Sequence, residues 1–146
     1  LKIIAVSKTF PMSEINPFGI AGIIIWTSKE RFQSMEDFYV HKIGLVPLHQ
    51  REYFVNFKWP GDKKDIRLTI GVHSKIQTDN TDPDRIMINF HVADIHATAK
   101  RLSNVGITFI REPEQESWGG WIATIRDPDS NTVQLLQSPD ETSRPN

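Results

Sequence analysis

The chain has 146 residues, 38% hydrophobic and 24% charged, which fits one soluble globular domain or two small halves sharing a core. Its 17 Lys and Arg against 18 Asp and Glu give a net charge of −1, which leaves no electrostatic footprint for nucleic acid or an acidic membrane surface. The absence of cysteine removes disulfides, thiolate metal sites and cysteine nucleophiles, and no apolar run approaches the roughly 18 residues of a membrane span.

Residues 1–18 read as an N-terminal arm carrying Pro11 and Pro17. Its one apolar stretch, Ile3 to Val6, suits a strand and is too short for the apolar core of a signal peptide. The default expectation is a cytoplasmic protein whose Leu1 lies inside a longer reading frame or a processed chain. The run Ile20 to Trp26 is short and β-branched, the pattern of a buried strand. Thr27, with Glu30 three residues on, has capping-box spacing. It predicts a helix with Phe32, Met35, Phe38 and Tyr39 on its apolar stripe and Gly44 at its end. Val46–Leu48, Tyr53–Phe57 and Ile66–His73 follow as strands, with a Pro60-Gly61-Asp62 turn between the last two.

Lys75 to Arg85 is polar and marks an internal boundary, after which the pattern repeats. Ile86–Val92 alternates at strand period. Asp94 caps a second helix with Ile95, Ala99 and Leu102 on its stripe and Gly106 at its end. Ile107–Ile110, Trp121–Ile125 and Thr132–Leu136 complete the second set of strands, with Asp127–Asn131 as a tight turn before the last. The order strand, helix, three strands therefore occurs twice. An α+β domain over 19–137 results, with modules 19–75 and 84–137 and a polar tail at 138–146. Neither half is large enough to bury its own sheet, so the halves must pack together.

Alternation assigns faces. Leu68, Ile70 and Val72, with Ile88, Phe90, Val92, Val133 and Leu135, point toward the helices. Thr69, Gly71, His73, Met87, Asn89, His91, Gln134 and Leu136 occupy the opposite face.

The stretches Phe90-His91-Val92-Ala93-Asp94-Ile95, Leu102 to Ile107 and Asp127-Pro128-Asp129-Ser130-Asn131-Thr132-Val133-Gln134-Leu135 resemble the glyoxalase/bleomycin-resistance/dioxygenase superfamily. Asp37-Phe38-Tyr39 and Ile43-Gly44-Leu45 look like its helix-end motif in the first half. The resemblance spans roughly residues 20 to 137 and implies paired βαβββ modules whose strands curl into an open cup. It also implies that modules often pair across a homodimer. Enzymes of this kind hold one divalent metal with His, Gln and Glu from the first and last strands of each module. Other members sequester drugs without metal. Fold alone therefore does not give the function.

Register puts the four implied metal positions near Ile20–Gly22, at Thr69 or Gly71, at Met87 and at Gln134. Only Gln134 offers a ligand atom, and one neutral amide oxygen does not hold a divalent ion against water. The expectation is a chain without a metal cofactor and with no assignable catalytic residue. Ser130 stands where members commonly carry Gly, a departure that touches turn geometry rather than chemistry.

For His73 and His91, a base pair or displaced metal site with Gln134 stands beside ordinary half-exposed strand-end histidines. Trp118-Gly119-Gly120-Trp121 either offers an indole to a flat ligand at the cup mouth or serves as packing. Trp26 and Trp59 read as packing residues. Arg67 has a better case than Arg51 or Arg126 for meeting an anionic ligand. The leading expectation is a small, partly aromatic ligand held by Met87, Asn89, His91, Gln134 and Trp118, with His73 and Arg67 available as polar anchors. The alternative is a metal-dependent lyase, isomerase or dioxygenase with one divalent ion on His73, His91 and Gln134. Ligand count separates the two, since a catalytic site needs about three protein ligands and an open position.

Overall fold

The β-branched run after Pro17 forms a strand but not the buried one its pattern predicts: Ile23, Ile24 and Trp26 are exposed, because among the described residues the strand lies at the edge of its sheet. In a computed structural model, which describes residues 16–17, 19–61 and 66–139, β1 (Gly22–Thr27) lies parallel to β4 (Arg67–Val72). Between them come β2 (Val46–Arg51) and β3 (Phe54–Lys58), giving the sheet order β1-β4-β3-β2. The second module repeats this plan. β5 (Met87–His91) runs parallel to β8 (Thr132–Gln137), and β6 (Arg111–Gln115) and β7 (Trp121–Arg126) complete the order β5-β8-β7-β6. The expected Ile3–Val6 strand lies outside the described residues.

Each sheet carries one helix on one face. Helix α1 (Phe32–Asp37) and α2 (Ile95–Asn104) bury Phe32, Met35, Ile95 and Leu102 against Ile70, Val55, Ile125, Val133 and Leu135 in a single cluster that spans both modules. Burying each such side chain contributes about 1.5–3 kcal/mol, so the shared core is what the two halves gain by fusing.

Three sequence expectations are corrected. Thr27 does not cap a helix. It ends β1, and α1 begins at Phe32 after Arg31, with no side-chain cap. The helix also does not stay α. From Phe38 to Ile43 it widens to π turns, and the Gly44 N–H bonds to the Tyr39 carbonyl five residues back. The wider turn lets the adjacent Phe38 and Tyr39 both point into the core. Gly44 then stops the helix at φ 91°, a conformation open to glycine. Third, Ile107–Ile110 is not strand β6. Ile107 and Phe109 pack against the core from a loop, and the ladder runs through polar Arg111–Gln115, with a register shift around Pro113. That suits an edge strand, where proline and charge are tolerated. In contrast, Asp94 caps α2 as expected, accepting from the Ala97 N–H at 3.0 Å.

The Asp127–Asn131 turn before β8 fastens one module to the other. Asp127 Oδ1 accepts from the N–H groups of Asp129 and Asn131, each at 2.9 Å. Its Oδ2 accepts from the Tyr39 hydroxyl at 2.6 Å and from Asn131 Nδ2 at 2.9 Å. Asp129 accepts from the Thr27 hydroxyl at 2.5 Å and pairs with the Arg31 guanidinium, which also donates to the Pro128 carbonyl. From the other side, Arg101 of α2 donates to the Lys42 and Ile43 carbonyls at 2.7 and 3.0 Å, closing the end of the first module's helix. The polar boundary segment is pinned to the same turn, with the Asn80 N–H on the Asp129 carbonyl at 2.8 Å and the Thr132 hydroxyl on the Pro83 carbonyl at 2.6 Å.

Replacing Asp129 by alanine strands the fully buried Thr27 hydroxyl and frees Arg31. The expected loss is about 2–3 kcal/mol of unfolding free energy in urea titrations. Burial, and next the neighbouring Asp127 charge, hold the Tyr39 phenol well above its ordinary pKa. Folding thus favours the protonated phenol. Its contribution is complete below the ordinary phenol value of about 10 and is lost as pH rises beyond it. Tyr39→Phe should flatten this alkaline fall in melting temperature while costing about 1–2 kcal/mol near neutrality, because Asp127 loses a donor.

Candidate functional site

Opposite the helices each sheet has an outer face, and strand register fixes what lies on it. In the first module Ile24 sits beside Thr69 and Trp26 beside Gly71, with Asn56 and Phe54 continuing those rows on β3. The Trp26 ring lies over Gly71 so closely that a Cβ there would stand 2.9 Å from it. His73 meets the Trp26 ring edge-on at 5.3 Å, and its Nδ1 accepts from the Lys75 N–H at 3.1 Å. Asn56 is buried and its Oδ1 faces the His49 backbone N–H at 2.9 Å. In the second module Asn89 lies directly beside Gln134, which lies beside Thr124; Met87 and His91 flank Asn89 on the same face. Gln134 Nε2 donates to the Thr124 hydroxyl at 3.3 Å.

The structure therefore brings Met87, Asn89, His91 and Gln134 together on one face. It places His73 and Arg67 on the other sheet, at the two ends of β4. No backbone ladder joins the two sheets among the described residues. Trp118 stands apart. It is 52% exposed in the β6–β7 turn, and its indole lies on Gly120, where any Cβ would overlap it. Trp121 packs against the core and meets the His96 ring at 4.7 Å. Arg126 pairs with Asp84 at 3.1 Å.

The first-strand position is also corrected. β1 begins at Gly22, so its outer-face residues are Gly22, Ile24 and Trp26, and Ile20 and Ala21 precede it. None of the three carries a metal-ligating atom. Among the described residues no three His, Asp or Glu side chains converge as a metal-binding group.

A cleft of about 680 Å³ opens between the modules, where Asn89 and His91 meet Ile43–Val46, Lys58, Trp59 and Arg101. Of the predicted site residues only Asn89 and His91 reach it. Trp59, read from sequence as packing, is one of its walls. No local motif announces this cleft, because it exists only where the two modules meet.

A model of the Glyoxalase/Bleomycin resistance protein/Dioxygenase superfamily matches residues 30–135. The chain belongs to that superfamily. No curated protein matches it. A glyoxalase/bleomycin resistance protein/dioxygenase from Nocardioides superposes with a TM-score of 0.65 at 16% identity, covering 90% of each chain. A lactoylglutathione lyase from Agrobacterium tumefaciens gives 0.62 at 18% identity, over 84% of this chain and 96% of that one. An antibiotic binding protein from Streptomyces sp. CB03234 gives 0.64 at 20% identity, over 84% and 98%. At these identities the likeness establishes the fold and leaves the chemistry to the residues.

Gly71→Ala tests the packing of the first outer face. The added methyl must displace the Trp26 ring, so the expected result is a red-shifted indole emission with secondary structure unchanged by circular dichroism.

Proposed function

We propose that this chain is a metal-free small-molecule binding protein of its superfamily, whose outer sheet faces form the walls of a ligand cup. One observation carries the reading. The implied metal positions hold Ile24 or its neighbour Gly22, Thr69 or Gly71, Met87 and Gln134, and this donor set does not fit a divalent ion. What remains suits a flat, partly aromatic ligand. Met87 supplies soft apolar contact, while Asn89, His91 and Gln134 supply polar anchors on the same face. The neighbour from Streptomyces, an antibiotic binding protein of the same fold, supports a small-molecule binding role.

The cup is completed by a second copy of the chain. Among the described residues β1 and β5 are both edge strands. They expose Ile24 at 52%, Trp26 at 43% and Met87 at 48%. Open edges carrying apolar side chains are surfaces that folded proteins normally cover. His73 and Arg67 of one copy would then join Met87, Asn89, His91 and Gln134 of the other.

Elemental mass spectrometry on protein purified without chelators should find well under one transition-metal ion per chain. A stoichiometric metal would overturn the proposal in favour of a ligand set drawn from His73, His91 and Gln134. Sedimentation equilibrium should give a dimer, and Ile24→Glu should shift it to monomer while leaving the fold intact. A wild-type monomer at micromolar concentration would remove the two-chain cup.

A further inference from the structure

We propose that the cleft between the modules is a second ligand site, bordered by the outer face of the second module at Asn89 and His91 and walled from the helix side, that takes an amphipathic organic anion with a flat apolar body and a carboxylate or sulfonate head. This inference does not rest on the cup reading. Its first support is size. Packed interiors leave few voids larger than a water molecule, whereas this cleft, at about 680 Å³, lies in the range of small-molecule pockets.

Its second support is the identity of the walls. Phe90 and Leu135 line the cleft from the helix side of their sheet, Asn89 and His91 border it at the β5 edge, and Met87 and Gln134 of the outer face do not reach it. Leu45, Val92 and Leu102 extend this apolar lining. Trp59 is held in place because its indole N–H donates to the Ile66 carbonyl at 3.0 Å, and its ring stands 6.3 Å from that of Phe90. A fixed indole beside a phenyl ring offers a flat body a surface to stack on.

Charge supplies the third support. The cleft contains Lys58 and Arg101, and none of its described lining residues is acidic. Arg101 is oriented by the Lys42 and Ile43 carbonyls, which fix its direction without neutralising it. Among the described residues neither Lys58 nor Arg101 has a carboxylate partner. Two cations at an apolar cleft favour an anionic head group.

Backbone polarity adds specificity. Among the described residues β5 pairs only with β8, and the Val92 N–H just beyond it donates to the Leu136 carbonyl at 3.0 Å. By alternation the backbone groups of Asn89 and His91 point to the open edge, where both residues line the cleft. They present N–H and C=O groups that a ligand can satisfy.

The test uses the full chain and 8-anilinonaphthalene-1-sulfonate as the anionic probe, with N-phenyl-1-naphthylamine as its neutral counterpart. Titrations are followed by probe fluorescence and by the indole N–H resonances in a ¹⁵N correlation spectrum, with Trp59 assigned through Trp59→Phe. The sulfonate is expected to saturate at one per chain and to shift the Trp59 resonance. Lys58→Gln, a change at an exposed side chain, should weaken the sulfonate about three- to fivefold and leave the neutral probe unchanged. Arg85→Gln, a surface cation outside both ligand surfaces, should alter neither. Absence of saturable binding overturns the proposal. So does a sulfonate site that Gln134→Ala weakens and Lys58→Gln does not, since the probe would then sit on the outer face. Failure of the cup reading, by a stoichiometric metal or a monomer, leaves these outcomes unaffected.

Discussion

Two carboxylates in one tight turn hold the arrangement of this molecule. Asp127 and Asp129 lie at the start of the last hairpin strand, and both are buried. Neither is left to a solvent it cannot reach. Asp127 is saturated by four hydrogen bonds, one of them from Tyr39 of the other module. Burial raises its pKa, and the bonds from Tyr39 and Asn131 oppose that rise. Asp129 takes Thr27 and Arg31, again from the first module. A buried carboxylate that loses its partners costs several kcal/mol, so the first module is fixed against the second with little freedom to rotate. The apolar core supplies most of the stabilisation; the turn sets the orientation.

That orientation decides which surfaces are left open. Helices from both modules contribute to one core, so the outer sheet faces point away from it, and among the described residues the outer edges of β1 and β5 have no ladder partner. The same docking leaves a gap where the first module's helix end and β3 approach β5. Arg101 bridges one side of the gap without filling it. Open sheet faces and inter-module cleft are thus two consequences of one docking geometry. They differ in chemistry: the outer face of the second module carries the row Asn89, Gln134, Thr124 and Arg111 beside a methionine, and the cleft carries aromatic rings with Lys58 and Arg101.

Much of this was legible in the sequence, and the failures have physical causes. Strand alternation placed Leu68, Ile70, Phe90, Val133 and Leu135 in the core correctly, because a half-buried strand has a strict period of two. Asp94 declared its helix because capping is local. Thr27 was misread because its hydroxyl has the capping chemistry but spends it on Asp129, 102 residues away. β6 was displaced because Ile107 and Phe109 are apolar for packing reasons, while an edge strand with one ladder neighbour can be built from Arg111-Glu112-Pro113-Glu114. The Asp127–Asn131 turn was recognised as a turn, yet its partners were invisible, since no local pattern encodes Tyr39 or Arg31 as the far end of a hydrogen bond. The cleft was missed for the same reason.

Strand β8 shows how the scaffold persists while the site chemistry changes. It is an interior strand, paired with β5 on one side and β7 on the other. Asp127 and Asp129 precede it, Val133 and Leu135 anchor it from the helix side, and Gln134 alone between them faces outward. The groups that fix the strand are therefore distinct from the group that a ligand would meet. A change at position 134 disturbs no core contact or turn hydrogen bond. Here Gln134 donates to Thr124 across the ladder. A sheet built in this way can change its outward residues one at a time without losing its shape. For that reason a TM-score near 0.65 to a lyase and to an antibiotic binding protein alike constrains the backbone and leaves the reaction undetermined.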